Sequence, residues 1–258
     1  MRIGRKLPMF IKKPLSQIYL KRYVNNLKSK DKRYVRVKIG NIWYDLDLWT
    51  YVGATFYNLK SYEPKTVKVL RRFIKKDMIV VDIGASFGIL SFIMSQLVGN
   101  EGKVYCFEPS FYMYKRLENG IKLNRFTNII PEKLALSDTY KTETLITKRF
   151  GQIGSDEKNE ETEDVKFVPL DEYWKEIPYI DFIKIDTDGY EPEVIRGAKK
   201  CIEKNHPMMI IEFRKETVKD LIDLLSPDYD FYDEDLKKYT NKKLIKKSNK
   251  GTINVVVM

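Results

Sequence analysis

Hydrophobic residues follow two different patterns along the chain. Between residues 34 and 48, apolar side chains alternate with polar ones on both sides of Gly40-Asn41, which is typical of a β-hairpin. From residue 78 onward, short continuous apolar runs are each followed by a helical stretch. The runs lie at 79–83, 104–107, 129–136, 182–185 and 208–211. Strands that are buried on both faces give such runs, so the pattern predicts an α/β fold with a mostly parallel sheet.

The rest of the pattern predicts helices on both faces of this sheet and a change of direction at its end. The helices are expected at 87–98, 111–124, 191–204 and 215–225, after one that opens at Pro64. At the C-terminus, Leu244 and Ile245 precede a polar turn and an apolar run at 252–258. These residues predict a closing antiparallel hairpin.

Three domains are expected, and one segment interrupts the alternation of strands and helices. The domains are an N-terminal arm (1–33), the hairpin with its following helix (34–77) and a main domain (78–258). Residues 139–169 are predicted to be an insertion in the main domain. Within it, residues 156–164 include six acids and one Lys, which indicates a solvated, mobile loop.

Composition excludes several classes of protein. The chain has 258 residues, of which 43% are hydrophobic, so it can bury a core and is not disordered throughout. No apolar run approaches the roughly 18–20 residues that span a bilayer. Two isolated cysteines, Cys106 and Cys201, do not suit a disulfide framework or a cysteine-based zinc site. We therefore expect a reducing, cytoplasmic environment.

The positive charge is concentrated in the N-terminal arm. Residues 1–40 hold thirteen Lys and Arg against the single acid Asp31, a net charge of +12, whereas the other residues hold 34 basic and 35 acidic side chains, a net charge of −1. Apolar residues between 15 and 27 recur at roughly helical spacing. A basic amphipathic helix can lie on an anionic membrane surface or bind a polyanion. Alternatively, its apolar face packs on the main domain while the lysines stay solvated.

The most informative motif is VVDIGASFG at residues 80–88, directly after a predicted strand and at the start of a helix. Gly84 and Gly88 would allow a tight turn and a close approach of a ligand. Their spacing is Gly-x-x-x-Gly rather than the Gly-x-Gly-x-x-Gly of dinucleotide-binding folds. This difference disfavours a dinucleotide ligand and hence a nicotinamide-dependent dehydrogenase. Asp82, at the strand end, suits a ligand that carries a cationic group. The alternative is plain strand–helix packing.

An acid follows the next strand, in the motif FEP at residues 107–109. Glu108 lies 24 residues after Gly84, and a carboxylate in this place can accept hydrogen bonds from both hydroxyls of a ribose. The alternative is an acidic helix cap. Together with the glycine turn, Glu108 favours a nucleoside-containing ligand.

Further acids follow the last two parallel strands. Asp186 and Asp188 come after 182–185, and Glu212 comes after 208–211. Ligands of open α/β sheets bind at the carboxyl ends of the strands, so these acids should face the same crevice as Asp82 and Glu108. Five acids would repel one another unless a cationic ligand group, a substrate amine or a metal ion lay among them. His206 is expected at the opposite, amino end of its strand.

These segments, in this order, resemble the FkbM-type methyltransferase family. The similar stretches are VVDIGASFG (80–88), FEP (107–109), LALSD (134–138) and DFIKIDTDGYEPEVIRGA (181–198). The resemblance covers roughly residues 60–213. Two residues differ from the family's usual pattern: Ser86 stands where Asn is common, and Asp188 stands where Glu is common. The shorter Asp188 makes the acceptor side less closely matched than the cofactor side.

The resemblance implies a class I methyltransferase fold, with a Rossmann-like sheet. It also implies methyl transfer from S-adenosyl-L-methionine to an oxygen, usually a hydroxyl of a glycan or similar small molecule. The resemblance does not require a metal ion, although Asp186, Asp188 and Glu212 could bind a divalent one. Residues similar to the family's cofactor site are Asp82, Gly84, Ala85, Ser86 and Gly88, with Glu108 at the ribose and the turn at Ala135 and Leu136 beside the adenine. Asp186 is the first candidate for the general base, and Asp188 and Glu212 are second candidates.

Two other functions stay open from the sequence. An RNA methyltransferase could use the basic arm to bind phosphates, although the sequence has no Asn-Pro-Pro-Tyr-like motif and no recognisable RNA-binding module. A binding protein without catalytic activity could share the fold, although the combination of glycine turn and ribose acid disfavours it. A protein that is cytoplasmic but peripheral on a membrane is also compatible with the arm.

Overall fold

The structure, a computed structural model, describes residues 33–147, 161–177 and 179–258. Apart from Arg33, the predicted basic arm therefore lies outside the described residues, as does the middle of the predicted insertion. The chain divides into two compact units. Of the described residues, the smaller unit comprises 33–62 with 147 and 161, and the larger comprises 63–146, 162–177 and 179–258.

The smaller unit contains the predicted hairpin and a helix that the sequence did not indicate. Strands β1 (Tyr34–Ile39) and β2 (Ile42–Asp47) pair antiparallel. Gly40, with φ of 60°, supplies the positive φ that the turn requires. Helix α1 (Tyr51–Leu59) follows, and the Thr50 side chain accepts a hydrogen bond from the Gly53 backbone N–H at its first turn. The buried Asp47 carboxylate pairs with Arg33 at 3.1 Å.

The larger unit is built on a seven-stranded sheet that confirms the predicted α/β fold. Five parallel strands follow one another along the chain, and two antiparallel strands complete one side. The parallel strands are β3 (Ile79–Ile83), β4 (Lys103–Phe107), β5 (Ile129–Glu132), β9 (Phe182–Ile185) and β10 (Met208–Phe213). The antiparallel strands are β11 (Phe231–Tyr232) and β12 (Ile253–Val257).

The order of the strands reverses in the middle of the sheet. From one edge to the other it is β11-β12-β10-β9-β3-β4-β5, so the chain moves outward in one direction from β3 and in the other from β9. Because parallel crossovers are right-handed, helices of the two halves cover opposite faces. The reversal lies between β3 and β9, and ligands of such sheets bind in the crevice outside the carboxyl ends of the strands at this point.

The helices lie close to their predicted positions. Helix α2 (Pro64–Phe73) precedes β3 and has Pro64 in its first turn. The connecting helices are α3 (Ile89–Val98), α4 (Phe111–Asn124), α6 (Glu191–Gly197), α7 (Lys199–Asn205) and α8 (Val218–Leu225), with the short α5 (Leu170–Tyr173) before β9. The single helix predicted at 191–204 is thus two helices, which meet at Ala198.

The predicted C-terminal hairpin is wrong in one of its two strands. Leu244 and Ile245 lie in helix α9 (Asn241–Ser248), whose first turn is capped by the Thr240 hydroxyl. Leu244 is fully buried in the core of the larger unit. The antiparallel neighbours of β12 are instead β10 and the short β11. A two-residue apolar pair fits a helix face as well as a strand, so the hydrophobic pattern did not distinguish the two.

The predicted insertion also contains more regular structure than the expected loop. Strands β7 (Lys141–Thr147) and β8 (Glu161–Val168) flank the undescribed residues and form a second sheet with β6 (Ala135–Leu136). The single run predicted at 129–136 is therefore split between two sheets. β6 pairs in parallel with the end of β8.

The core of the larger unit surrounds the central strands. Ile183, Met209 and Phe213 are completely buried there, together with Leu221 from α8 and Val257 from β12. Burial of side chains of this size contributes roughly 1.5–3 kcal/mol each. In the part of the chain that the structure describes, no helix has the length and apolar character needed to cross a membrane.

Candidate active site

The turn after β3 lies at the reversal of the sheet and approaches the end of β9 very closely. Gly84 has φ of 76°, and a Cβ atom built on it would lie 1.9 Å from the Asp186 carbonyl oxygen. The Gly84 and Ala85 backbone N–H groups both donate to the Phe107 carbonyl, at 2.9 and 3.1 Å. Glycine is therefore required here by both conformation and space. Ser86 also has a positive φ, of 51°.

Glu108 is buried beside this turn, as the sequence predicted. One carboxylate oxygen accepts from the Ser86 N–H at 2.8 Å and the other accepts from the Ser110 N–H at 2.9 Å. Burial raises the pKa of Glu108 to about 7, against the lowering effect of these two hydrogen bonds. Each carboxylate oxygen has a second lone pair and can accept a further hydrogen bond. The turn and the acid thus form one hydrogen-bonded structure.

Asp82 and Asp186 are both paired with a lysine of the chain itself. The Lys184 ammonium lies 3.2 Å from Asp82 Oδ1 and 3.7 Å from Asp186 Oδ2, and it donates to the Gly84 carbonyl at 2.9 Å. Burial opposes the charged form of Lys184, but Asp82 and then Asp186 and Glu63 favour it, so the pKa is raised above its ordinary value. Ser91 donates to the other Asp82 oxygen at 2.5 Å.

Glu212 and Asp188 share a second internal cation. Arg214 Nε lies 2.6 Å from Glu212 Oε2, and its Nη2 pairs with Asp188 Oδ1. The Glu212 side chain is 14% exposed and that of Asp188 is 70% exposed. Burial, and secondly the charge of Asp186, raise the pKa of Glu212 to about 7, against the lowering effect of Arg214. The effect of the Asp186 charge indicates that the two carboxyl groups lie near each other.

Glu191 organises the loop that carries Asp188. Its Oε1 atom accepts from the Thr187 N–H, the Thr187 hydroxyl and the Gly189 N–H, at 3.0 to 3.1 Å. Asp188 has φ of 58°, a conformation that costs energy for a non-glycine residue. These three hydrogen bonds stabilise it.

The remaining predicted cofactor residues, Gly88, Ala135 and Leu136, differ in conformation and in burial. Gly88 has φ of 78°, and a Cβ there would lie 2.6 Å from the Leu117 side chain, so backbone conformation and helix packing favour glycine at this position without any ligand. Ala135 and Leu136 form β6 rather than the expected turn. Leu136 is 2% exposed in the core, so of these two residues only the partly exposed Ala135 has a side chain that a ligand could reach.

The five acids that the sequence predicted for this edge lie there, but sequence reasoning missed Glu191 and the cations among the acids. Lys184 is the one charged residue in the run Phe182–Ile185, and a charge within a strand that is otherwise apolar was the signal that could have identified it. Arg214 follows Glu212 by two residues and gave no comparable signal. Over the described ranges 33–147, 161–177 and 179–258, no three His, Cys, Asp or Glu side chains are grouped so that they could hold a metal ion.

Comparison with known proteins identifies the family. The model of the methyltransferase FkbM domain matches residues 82–234, which is more than half of the chain and includes every acid of the crevice. The chain belongs to the FkbM methyltransferase domain family. The resemblance seen in the sequence motifs is thereby confirmed. No curated protein matches the chain.

Several solved structures are similar to this FkbM domain, and one of them reaches a TM-score of 0.50. A methyltransferase FkbM from Methylobacillus flagellatus KT is 19% identical, with a TM-score of 0.50, over 71% of this chain and 44% of that one. The FkbM domain chain thus spans less than half the length of that protein. A putative rRNA methylase from Clostridium thermocellum is 12% identical over 75% and 92% of the two chains, with a TM-score of 0.49. TYW2 from M. jannaschii, solved with AdoMet, is 15% identical over 87% and 84%, with a TM-score of 0.45.

Proposed function

We propose that the protein transfers a methyl group from S-adenosylmethionine to a hydroxyl of a glycan or similar small molecule. Membership of the FkbM methyltransferase family supports the reaction class. The observation that carries the proposal is the position of Glu108, a buried carboxylate held by two backbone N–H groups at the sheet reversal.

The residues of the crevice fit this cofactor. Glu108 has two lone pairs left for the two hydroxyls of a ribose, and the Gly84 turn beside it presents backbone without a side chain. The ion pairs around Lys184 and Arg214 each join two carboxylates to one cation. The group around Lys184 therefore keeps a net negative charge, and so does the group around Arg214 when Glu212 is ionised. A negative crevice suits a ligand that carries both an ammonium and a sulfonium.

The chain's own contribution to the chemistry is to position the acceptor and remove its proton. S-adenosylmethionine would supply a methyl group bound to a cationic sulfur. When the bond between them breaks, the sulfur becomes a neutral thioether, which is the leaving group. The acceptor oxygen needs to be held about 3–3.5 Å from that carbon, and a base that takes the hydroxyl proton typically contributes ~10²–10⁴-fold.

Glu212 has the better properties for this base, although Asp186 was the first candidate from the sequence. The pKa of Glu212, raised to about 7 by burial, lies near the optimum for a general base at neutral pH. Asp186 lies 3.7 Å from the Lys184 ammonium, and its carboxylate can accept a hydrogen bond from the acceptor hydroxyl. In this assignment Glu212 takes the proton and Asp186 orients the hydroxyl.

Calorimetry of cofactor binding tests the proposal. The intact protein is titrated with S-adenosylmethionine, and Glu108→Ala is expected to weaken binding by roughly 100-fold because two hydrogen bonds to a charged group are lost. Glu203→Ala is the matched control, since Glu203 is an exposed acid on α7 that pairs with Lys199. Absence of binding to the intact protein, or equal affinity of Glu108→Ala, would contradict the proposal.

The acceptor is identified by methyl transfer from labelled cofactor to fractionated glycans, lipids and RNA. Label in a glycan fraction supports the proposal, whereas label in RNA alone supports the alternative of an RNA methyltransferase. The partner of residues 1–33 stays a prediction from the charge of +12 in residues 1–40. We expect these residues to bind an anionic membrane surface, and equal flotation of intact and arm-deleted protein with anionic liposomes would refute it.

A further inference from the structure

Lys184 occupies the centre of the sheet reversal. It lies on β9, directly opposite Asp82 of β3 in the parallel register, and its side chain is 6% exposed. Lysine is rarely buried to this extent unless its charge is paired. Its position, between the turn that follows β3 and the acid that follows β9, is where the two halves of the crevice meet.

One ammonium bridges both halves. It donates to the Gly84 carbonyl at 2.9 Å, and it lies 3.2 Å from Asp82 and 3.7 Å from Asp186. An ammonium has three N–H donors, and three acceptor groups surround this one. The Gly84 carbonyl belongs to the proposed cofactor turn, whereas the Asp186 carboxylate belongs to the proposed acceptor side.

We infer that Lys184 is a positioning residue that holds the Gly84 turn and the Asp186 carboxylate in register and sets the net charge of the crevice. This inference rests on the proposed function. It also identifies a cation that the chain itself supplies among the five acids. Removal of the ammonium would release the turn from Asp186 and would make the crevice more negative by one charge.

The charge gives a readout that loss of structure alone would not produce. S-adenosylmethionine carries one positive charge more than its product S-adenosylhomocysteine, so a nearby ammonium disfavours the first relative to the second. A looser turn would lower the affinity for both ligands by the same factor and leave the ratio of their dissociation constants unchanged. Loss of the charge, in contrast, changes the ratio of their dissociation constants by at least ~3-fold, because two unit charges interact appreciably over several ångströms in a protein.

The experiment measures the dissociation constants of both ligands by calorimetry. Lys184→Met keeps the length of the side chain but removes its charge, and we expect weaker binding of both ligands, with a ratio that favours S-adenosylmethionine at least ~3-fold more than in the intact protein. Lys184→Arg keeps the charge and should restore the ratio. Lys199→Met is the matched control, since Lys199 is 74% exposed on α7, and its ratio should equal that of the intact protein.

Lys184→Met leaves Asp82 buried without its ion pair and can therefore prevent folding. A second pair of variants tests the inference in that case. Asp82→Asn removes the buried charge and retains Lys184, while the double variant Asp82→Asn, Lys184→Met removes both charges. We expect turnover of the double variant to be at least ~10-fold below that of Asp82→Asn, with the ratio changed as above. Equal turnover and an unchanged ratio would overturn the inference. Failure of the intact protein to bind either ligand would instead overturn the proposed function.

Discussion

The two halves of the crevice are constructed by different means. On the β3–β4 side, backbone N–H groups hold Glu108, and the Gly84 turn has no space for a side chain. On the β9–β10 side, ion pairs between side chains arrange the acids, and Asp188 is largely exposed. Backbone hydrogen bonds are set when the sheet forms, whereas partly exposed ion pairs can exchange partners when a ligand arrives. The comparison indicates that the side proposed to bind the cofactor is rigid and that the side proposed to bind the acceptor is adaptable.

The strongest test of the rigid side is Gly84→Ala. The new Cβ would meet the Asp186 carbonyl at 1.9 Å in a backbone conformation with φ of 76°, and we expect a loss of at least ~4 kcal/mol of unfolding free energy. Gly99→Ala is the control, because Gly99 also has a positive φ but has nothing within 4 Å of its Cβ position. It should cost roughly 1–3 kcal/mol in urea denaturation. Equal losses would show that the close approach is unimportant.

The pH dependence of stability tests the buried acid of the same side. The pKa of Glu108 rises from an ordinary 4.5 to about 7 on folding because of burial. Its contribution to stability is therefore present below pH 4.5 and is lost as the pH rises through about 7. We expect roughly 3 kcal/mol of this loss between pH 4 and pH 8. The unfolding free energy, measured by urea denaturation at each pH, should fall less steeply with pH for Glu108→Gln than for the intact protein. Parallel curves of unfolding free energy against pH would contradict the assignment.

On the adaptable side, Glu212→Gln should affect turnover more than stability. If Glu212 takes the proton, turnover falls by ~10²-fold, or about 2.7 kcal/mol of barrier. The intact enzyme should gain activity as the pH rises through about 7, where Glu212 ionises, and this rise should be absent from the variant. Asp186→Asn should lower turnover yet keep the rise. A variant Glu212→Gln with the pH profile of the intact enzyme would assign the base to Asp186.

The smallest effect is expected for Asp188→Asn. Asp188 is 70% exposed and pairs with Arg214, so its loss should change the unfolding free energy by less than ~1 kcal/mol. Arg214 retains its contact with Glu212, and cofactor affinity should be unchanged. Thermal denaturation and calorimetry check both statements. A large rise in the Michaelis constant of the acceptor would show that Asp188 contacts it directly.

The sequence predicted the two sides unequally well, for a physical reason. The Gly84 turn and Glu108 are local features, because a strand end, a glycine and an acid adjoin one another in the chain. Lys184 is marked locally only as the one charge in an apolar run. Its partners Asp82 and Gly84, like the Asp188 partner of Arg214, lie on other strands or loops, so no local pattern reveals these pairings. The same limit applies to Leu244, whose helix is selected by burial against the core and by the Thr240 cap.

The strands that border the crevice are distant in the chain. Gly84 and Lys184, joined by a hydrogen bond, are 100 positions apart in the sequence. Strands β4 and β5 lie between β3 and β9 along the chain. Pairing of such remote segments is slow and comes with a large loss of chain entropy. The crevice should consequently be among the last features to form during refolding, so that recovery of cofactor binding would report the completion of folding rather than its onset.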